Sequence, residues 1–139
     1  VGGPLITLDT SGLYALLDRR DRDHEAARAV LARDNGPFVV PVGILAEIAY
    51  LAESRLGLET LDVLLDDLET GAYSLDGALH DDLPRIRELA RRYADLPLGF
   101  ADAAVVACAE RNGGRVLTLD ADFAVVAREG TIAPAPISA

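Results

Sequence analysis

Short apolar runs alternate along this chain with longer stretches in which hydrophobic positions recur every three or four residues, the patterns of buried strands and amphipathic helices. Leu5-Ile6-Thr7-Leu8 reads as a buried strand ending at Asp9, and Thr10 or Ser11 can cap the helix that follows, through about Arg20. His24 to Arg33 reads as a second helix stopped by Asn35-Gly36-Pro37, and Phe38-Val39-Val40 as a strand. Pro41 suits the first turn of a helix running to about Arg55; Gly57 breaks it, and Leu58 to Glu69 is helical again. A short strand over Ala72–Leu75 precedes a long helix from Leu79 to Asp95. After the turn Pro97-Leu98-Gly99 come a helix from about Phe100 to Arg111, the stop Asn112-Gly113-Gly114, and a strand from Arg115 to Leu119 that ends at Asp120. A short helix over about Asp122–Arg128 and an edge strand over Thr131–Ala133 complete the pattern. Strands separated by helices predict an α/β sandwich of three layers, a mostly parallel central sheet flanked by helices. In such folds ligands bind outside the carboxyl ends of the strands, near the point where strand order reverses. The residues just after each strand therefore matter most.

Composition narrows the class. The 139 residues form a single domain, 1–139, and with 50% hydrophobic residues the chain is not a disordered one. No apolar run reaches the ~18 residues of a membrane span, and VGGPLITLD lacks the basic segment that opens a signal peptide. The single cysteine, Cys108, excludes an internal disulfide and a Cys-rich zinc site; it reads as a small buried residue, and the compartment expected is the cytoplasm. The net charge is −10, and all 13 basic residues are arginine. So acidic a chain is a poor sequence-independent binder of nucleic acid, and its charge suggests a basic partner.

The chemistry lies in carboxylates. Leu8-Asp9-Thr10 and Leu119-Asp120-Ala121-Asp122 each place an aspartate directly after an apolar strand, where it can serve as a helix cap, a turn residue or a ligand. Glu47 borders the helical face that carries Ile44, Ile48 and Leu51, either as a surface glutamate, an arginine partner or a site residue. Asp102 heads an apolar stripe with Val105, Val106 and Ala109; an N-cap would serve equally well facing solvent, whereas this carboxylate faces the core side. Four carboxylates at one sheet edge repel one another and raise their own pKa values, and a divalent cation removes that penalty. An all-oxygen set suits Mg²⁺ or Mn²⁺, and phosphoryl transfer is the chemistry such a site performs.

LDTSGLYALLDRRDRDH, PVGILAEIAYL and LGFADAAVVACAERNGGRVLTLDADF, in that order, resemble the PIN domain, most closely the toxins of VapBC toxin–antitoxin systems. The resemblance runs from about Leu5 to Ile132. It implies a PIN-like sandwich and a Mg²⁺- or Mn²⁺-dependent endoribonuclease, with Asp9, Glu47, Asp102 and Asp120 as the metal-binding and catalytic set. Asp122 is an accessory candidate, and Thr10, Ser11 and Thr118 would orient water or the carboxylates. It also implies a homodimer and a VapB-type antitoxin. Arg85, Arg87, Arg91 and Arg92 on one helix, and Arg19, Arg20 and Arg22 near the end of another, are either solvated faces or phosphate contacts for the RNA. His24 and His80 read as surface residues.

Two rival readings fail on the residues. A receiver domain needs a lysine in its acidic pocket, and a haloacid-dehalogenase-type phosphatase needs a second aspartate two residues after the first, where this chain has Ser11. A PIN-like domain acting only as a protein-interaction module remains as the alternative from another class.

Overall fold

The computed structural model describes residues 5–34 and 36–135. Five strands form one all-parallel sheet in the order β3-β2-β1-β4-β5: β1 (Ile6–Leu8), β2 (Phe38–Pro41), β3 (Ser74–Asp76), β4 (Arg115–Leu117) and β5 (Ala133–Pro134). Thr7 of β1 stands between Val39 of β2 and Val116 of β4. The chain moves outward from β1 through β2 to β3 and then returns to lay β4 on the other side of β1. That reversal puts the crevice at the carboxyl ends of β1 and β4, the positions followed by Asp9 and Asp120.

Among the described residues seven α-helices flank the sheet: α1 (Thr10–Leu17), α2 (His24–Asp34), α3 (Leu45–Leu51), α4 (Leu58–Thr70), α5 (Leu79–Arg92), α6 (Phe100–Arg111) and α7 (Asp122–Val126). Parallel crossovers are right-handed, so α1 to α4, which connect strands laid in one direction, cover one face. The return from β3 to β4 carries α5 and α6 over the other. The three-layer expectation is met.

The core is aliphatic. Ile6, Leu8, Val40, Val116 and Leu117 from the strands are buried, as is every residue of α6 from Ala103 to Ala109. A helix apolar on all sides is a central one, which is why α6 shows no amphipathic stripe. Its polar residues stand at its two ends, Asp102 in the first turn and Glu110 and Arg111 in the last. At Gly12 a Cβ would stand 2.4 Å from the Leu117 carbonyl oxygen, so only glycine lets the first turn of α1 lie against β4.

Several boundaries differ from those expected. The helix expected from Pro41 to Arg55 divides into a 3₁₀ turn (Val42–Ile44), α3, and a π-helical turn (Ala52–Leu56) that Gly57 ends with φ +100°. Such π turns are frequent at functional sites. α1 stops at Leu17 because the Asp18 backbone takes an extended conformation, leaving Arg19 and Arg20 on a turn. The strand expected at Ala72–Leu75 lies at Ser74–Asp76, and the edge strand expected at Thr131–Ala133 lies at Ala133–Pro134. Asn35, part of the expected stop after α2, lies outside the described residues, as do the first four and last four positions of the domain.

His24 corrects the surface reading. It is 7% exposed, and its Nδ1 donates to the Ala15 carbonyl oxygen at 2.7 Å. As the first residue of α2 it packs against α1, a tertiary contact that its polar sequence neighbours conceal. His80 is exposed as expected. Cys108 is buried, and burial pushes its thiol up to about 12, so it is an inert core residue.

Candidate active site

The strand ends and the first turn of α6 deliver the acidic residues to one edge. Asp9 is 2% exposed and also caps α1: its Oδ1 accepts from the Gly12 backbone N–H at 2.7 Å and from Ser11 Oγ at 2.8 Å. Its Oδ2 accepts from Thr118 Oγ1 at 2.6 Å. The capping role and the site position therefore coexist in one side chain. The two hydroxyls are themselves fixed, Ser11 Oγ by the Leu119 N–H (2.9 Å) and Thr118 Oγ1 by the Asp120 N–H (2.9 Å). A chain of hydrogen bonds thus ties the end of β1 to the segment after β4. Thr10 donates to Glu47 on α3, and Asp120 Oδ1 accepts from the Asp122 N–H at 2.8 Å.

Asp102 differs from the others. Gly99, not Asp102, is the N-cap of α6, and among the described residues no group donates a hydrogen bond to the Asp102 carboxylate. Burial, then the negative charges of Asp120, Asp9, Glu47 and Asp122, raise its pKa to about 6. The Asp9 carboxyl also rises to about 6, mainly through burial, against the lowering effect of its hydrogen bonds from Thr118, Gly12 and Ser11. Asp120, Asp9, Glu47 and Asp122 thus stand near enough to Asp102 for their charges to act on it.

Asp9, Glu47, Asp102 and Asp120 line one open cleft of about 380 Å³, with Thr10 and Ser11 on its wall. Thr118 supports it from behind through Asp9, and Asp122 acts on it through charge. Among the described residues no group of three or more Asp, Glu, His or Cys side chains is placed to hold a metal ion together. Mg²⁺ does not require one, since it keeps several waters and takes one or two carboxylates together with substrate phosphates. The oxygen-only donor set and the mutual repulsion around Asp102 both fit a hard divalent cation.

The cleft also holds residues that sequence reading passed over: Tyr14, Asp21 and Arg55. Arg55 had a signal, because Glu47, Leu51 and Arg55 follow at four-residue spacing and all three line the cleft. Tyr14 likewise follows Thr10 by four. Asp21 sits in an irregular turn and had none. Of the expected phosphate contacts, Arg85 is bound at 2.8–2.9 Å by Glu110 and Glu129 and also by Glu88. Arg92 pairs with Glu129 at 2.9 Å, while Arg87 and Arg91 are exposed. None of these four lines the cleft. Glu110 is eight residues along α6 from Asp102, about 12 Å, so the Arg85 network belongs to the opposite end of that helix.

Comparison with known proteins bears on the family and the fold. A family model for the PIN domain matches residues 6–129. The chain is 32% identical over 114 residues to ribonuclease VapC26 of Mycobacterium tuberculosis, a match that covers 81% of this chain and 84% of that protein. Among solved structures it is similar to Mycobacterium tuberculosis VapC20, a sarcin-ricin loop cleaving toxin, with a TM-score of 0.78 and 21% identity over 87% of this chain and 94% of the other. It is also similar in fold to DNA-bound VapBC from Salmonella typhimurium, with a TM-score of 0.64 and 17% identity over 97% and 99% of the two chains.

Proposed function

The chain belongs to the PIN-domain family, and from that premise we propose that it is a Mg²⁺- or Mn²⁺-dependent endoribonuclease, the toxin of a type II toxin–antitoxin pair. The observation that carries this reading is Asp102, a half-buried carboxylate without hydrogen-bond donors among the described residues, surrounded by the charges of Asp120, Asp9, Glu47 and Asp122. Unpaired charge of this kind is destabilising unless a cation is held there.

Asp9 and Asp102 are assigned as direct ligands, with Glu47 and Asp120 completing the set and Asp122 adding negative charge. When bound, the ion would stabilise charge on the phosphate and lower the pKa of a bound water, favouring hydroxide as the nucleophile. The protein's own part is positional. Ser11 and Thr118 hold both oxygens of Asp9, and Thr10 orients Glu47. The Asp122 backbone fixes Asp120.

The antitoxin and the homodimer enter the same proposal. Leu58 and Leu65 on α4 are exposed, as is Leu75 on β3, which supports a protein that buries surface against partners. The net charge of −10 suits a basic partner segment. Among the described residues no helix is long and apolar enough to cross a membrane, and the cytoplasm is the compartment assigned.

Thermal unfolding with Mg²⁺ and with EDTA tests the metal site directly. Saturating Mg²⁺ at neutral pH is expected to stabilise the fold, by about 2.7 kcal/mol at a hundredfold excess over Kd, and Asp9→Asn is expected to abolish most of the gain. A wild-type protein whose melting is indifferent to both Mg²⁺ and Mn²⁺ would sink the metal assignment.

A further inference from the structure

The acidic cleft does not end at its carboxylates. A second groove, of about 610 Å³, lies beside it, and Arg55 lines both. Arg19 and Arg20, from the turn after α1, line the second groove. We propose that this groove, entered past Arg55 and continued by Arg19 and Arg20, is the track that holds the phosphate backbone of a single-stranded RNA substrate. The proposal rests on the nuclease reading above and assigns its substrate contacts.

The arginines near the two grooves differ from those held in ion networks elsewhere. Arg85, Arg92, Arg111 and Arg115 are held at short range by Glu88, Glu110, Glu129, Asp76, Asp82 and Asp34. They are structural, and their charge is neutralised within the fold. Arg19 and Arg20 are exposed and have no acidic partner among the described residues. Arg55 is also exposed and meets a ring rather than a carboxylate, its guanidinium lying 5.6 Å from the centroid of Tyr14. The Tyr14 hydroxyl donates to Asp18 Oδ2 at 3.0 Å, so the ring beneath Arg55 is itself anchored. A guanidinium positioned over an aromatic face loses less freedom when it binds a phosphate in its planar fork.

The local acids fit this path. Asp18 is occupied by Tyr14 and by the Arg20 backbone N–H (3.0 Å), a contact that also shapes the turn presenting Arg19 and Arg20. Glu59 and Asp67, from α4, are the other acids lining the groove. Their charge steers a polyanion toward the α1 side, along the arginines. In a protein of net charge −10 whose cleft is itself acidic, RNA needs positive groups near the site; Arg55 borders the cleft, and Arg19 and Arg20 continue from it along the groove.

The test measures anisotropy of a fluorescein-labelled uridine oligonucleotide across a salt series, in the Asp102→Asn background so that the probe is not cut. Wild-type cleavage in Mg²⁺ is measured alongside. Combining Arg19→Ala, Arg20→Ala and Arg55→Ala is expected to weaken binding and to reduce the salt slope by about 0.7 per lost contact, roughly 2 in all. Arg128→Ala, an exposed arginine outside both grooves, is expected to leave affinity and slope unchanged. Unaltered affinity and slope in the triple variant, with wild-type cleavage intact, would overturn the track and leave the nuclease standing. Failure of wild type to cut or bind RNA would overturn both. A triple variant that lost binding to polyglutamate while keeping RNA would assign the groove to a protein partner and also overturn the proposal.

Discussion

Replacing Asp102 by asparagine is expected to lower RNA cleavage by several orders of magnitude while making the metal-free protein more heat-stable at neutral pH. The substitution keeps the shape of the side chain and removes a charge that no described group hydrogen-bonds. On the proposed function, cleavage falls because a metal ligand is lost from the cluster. The stability effect follows from proton linkage. The folded carboxyl titrates at about 6 against 3.8 for the ordinary group, so the folded state binds more protons than the unfolded one between those values. Metal-free stability is therefore lost as pH rises through that window, and Asp102 contributes to the loss. In EDTA the variant should melt above wild type at neutral pH and draw level with it below about pH 4. Mg²⁺ should reverse the order by stabilising wild type more. Full cleavage by Asp102→Asn, or a variant that melts well below wild type in EDTA, would contradict the assignment.

Arg111→Ala should produce a large loss of stability at a position outside the cleft. Arg111 closes α6 and grips two acids at once: its Nε and Nη2 donate to Asp82 at 2.6 and 2.7 Å, and Nη1 and Nη2 donate to Asp76 at 3.1 and 2.9 Å. The Arg111 guanidinium holds the Asp76 carboxyl well below the usual carboxylate range. The pair therefore joins the end of β3 to α5 and α6. Asp82 is only 6% exposed, and truncating Arg111 leaves its charge buried without that partner. Loss of one member of a buried pair costs about 3–5 kcal/mol, and partial exposure of the arginine brings the expectation here to about 2–4 kcal/mol. Urea unfolding measures it. A loss below about 1 kcal/mol would show that the network contributes little.

The four acidic positions were legible in the sequence because each sits where an apolar pattern stops or is interrupted. Asp9 and Asp120 follow strands, and Asp102 opens the helix that proves to be buried on all sides. The alternation of strands and helices likewise gave the α/β sandwich. What escaped were features set by contacts distant in sequence. Polar neighbours hid the burial of His24 against Ala15. The π turn that carries Arg55 is a local departure from a regular helical pattern, with no residue signature before Gly57. Pairing of Arg85 with Glu110 and Glu129 joins α5, α6 and the turn after α7, so an apparent basic patch becomes an internal ion network. Gly12, whose missing Cβ lets α1 meet Leu117, reads in sequence only as a glycine inside a helix.

On the proposed function the carboxylate cluster cuts RNA with a divalent ion, and cleavage of natural RNA tests this most directly. Purified, partner-free protein is incubated with total tRNA and ribosomal RNA in Mg²⁺, in Mn²⁺ and in EDTA, beside the Asp9→Asn variant. Discrete cuts that need the metal and disappear in the variant are the result predicted. Intact RNA after incubation with well-folded wild-type protein in either metal would contradict the claim and leave the domain as an interaction module.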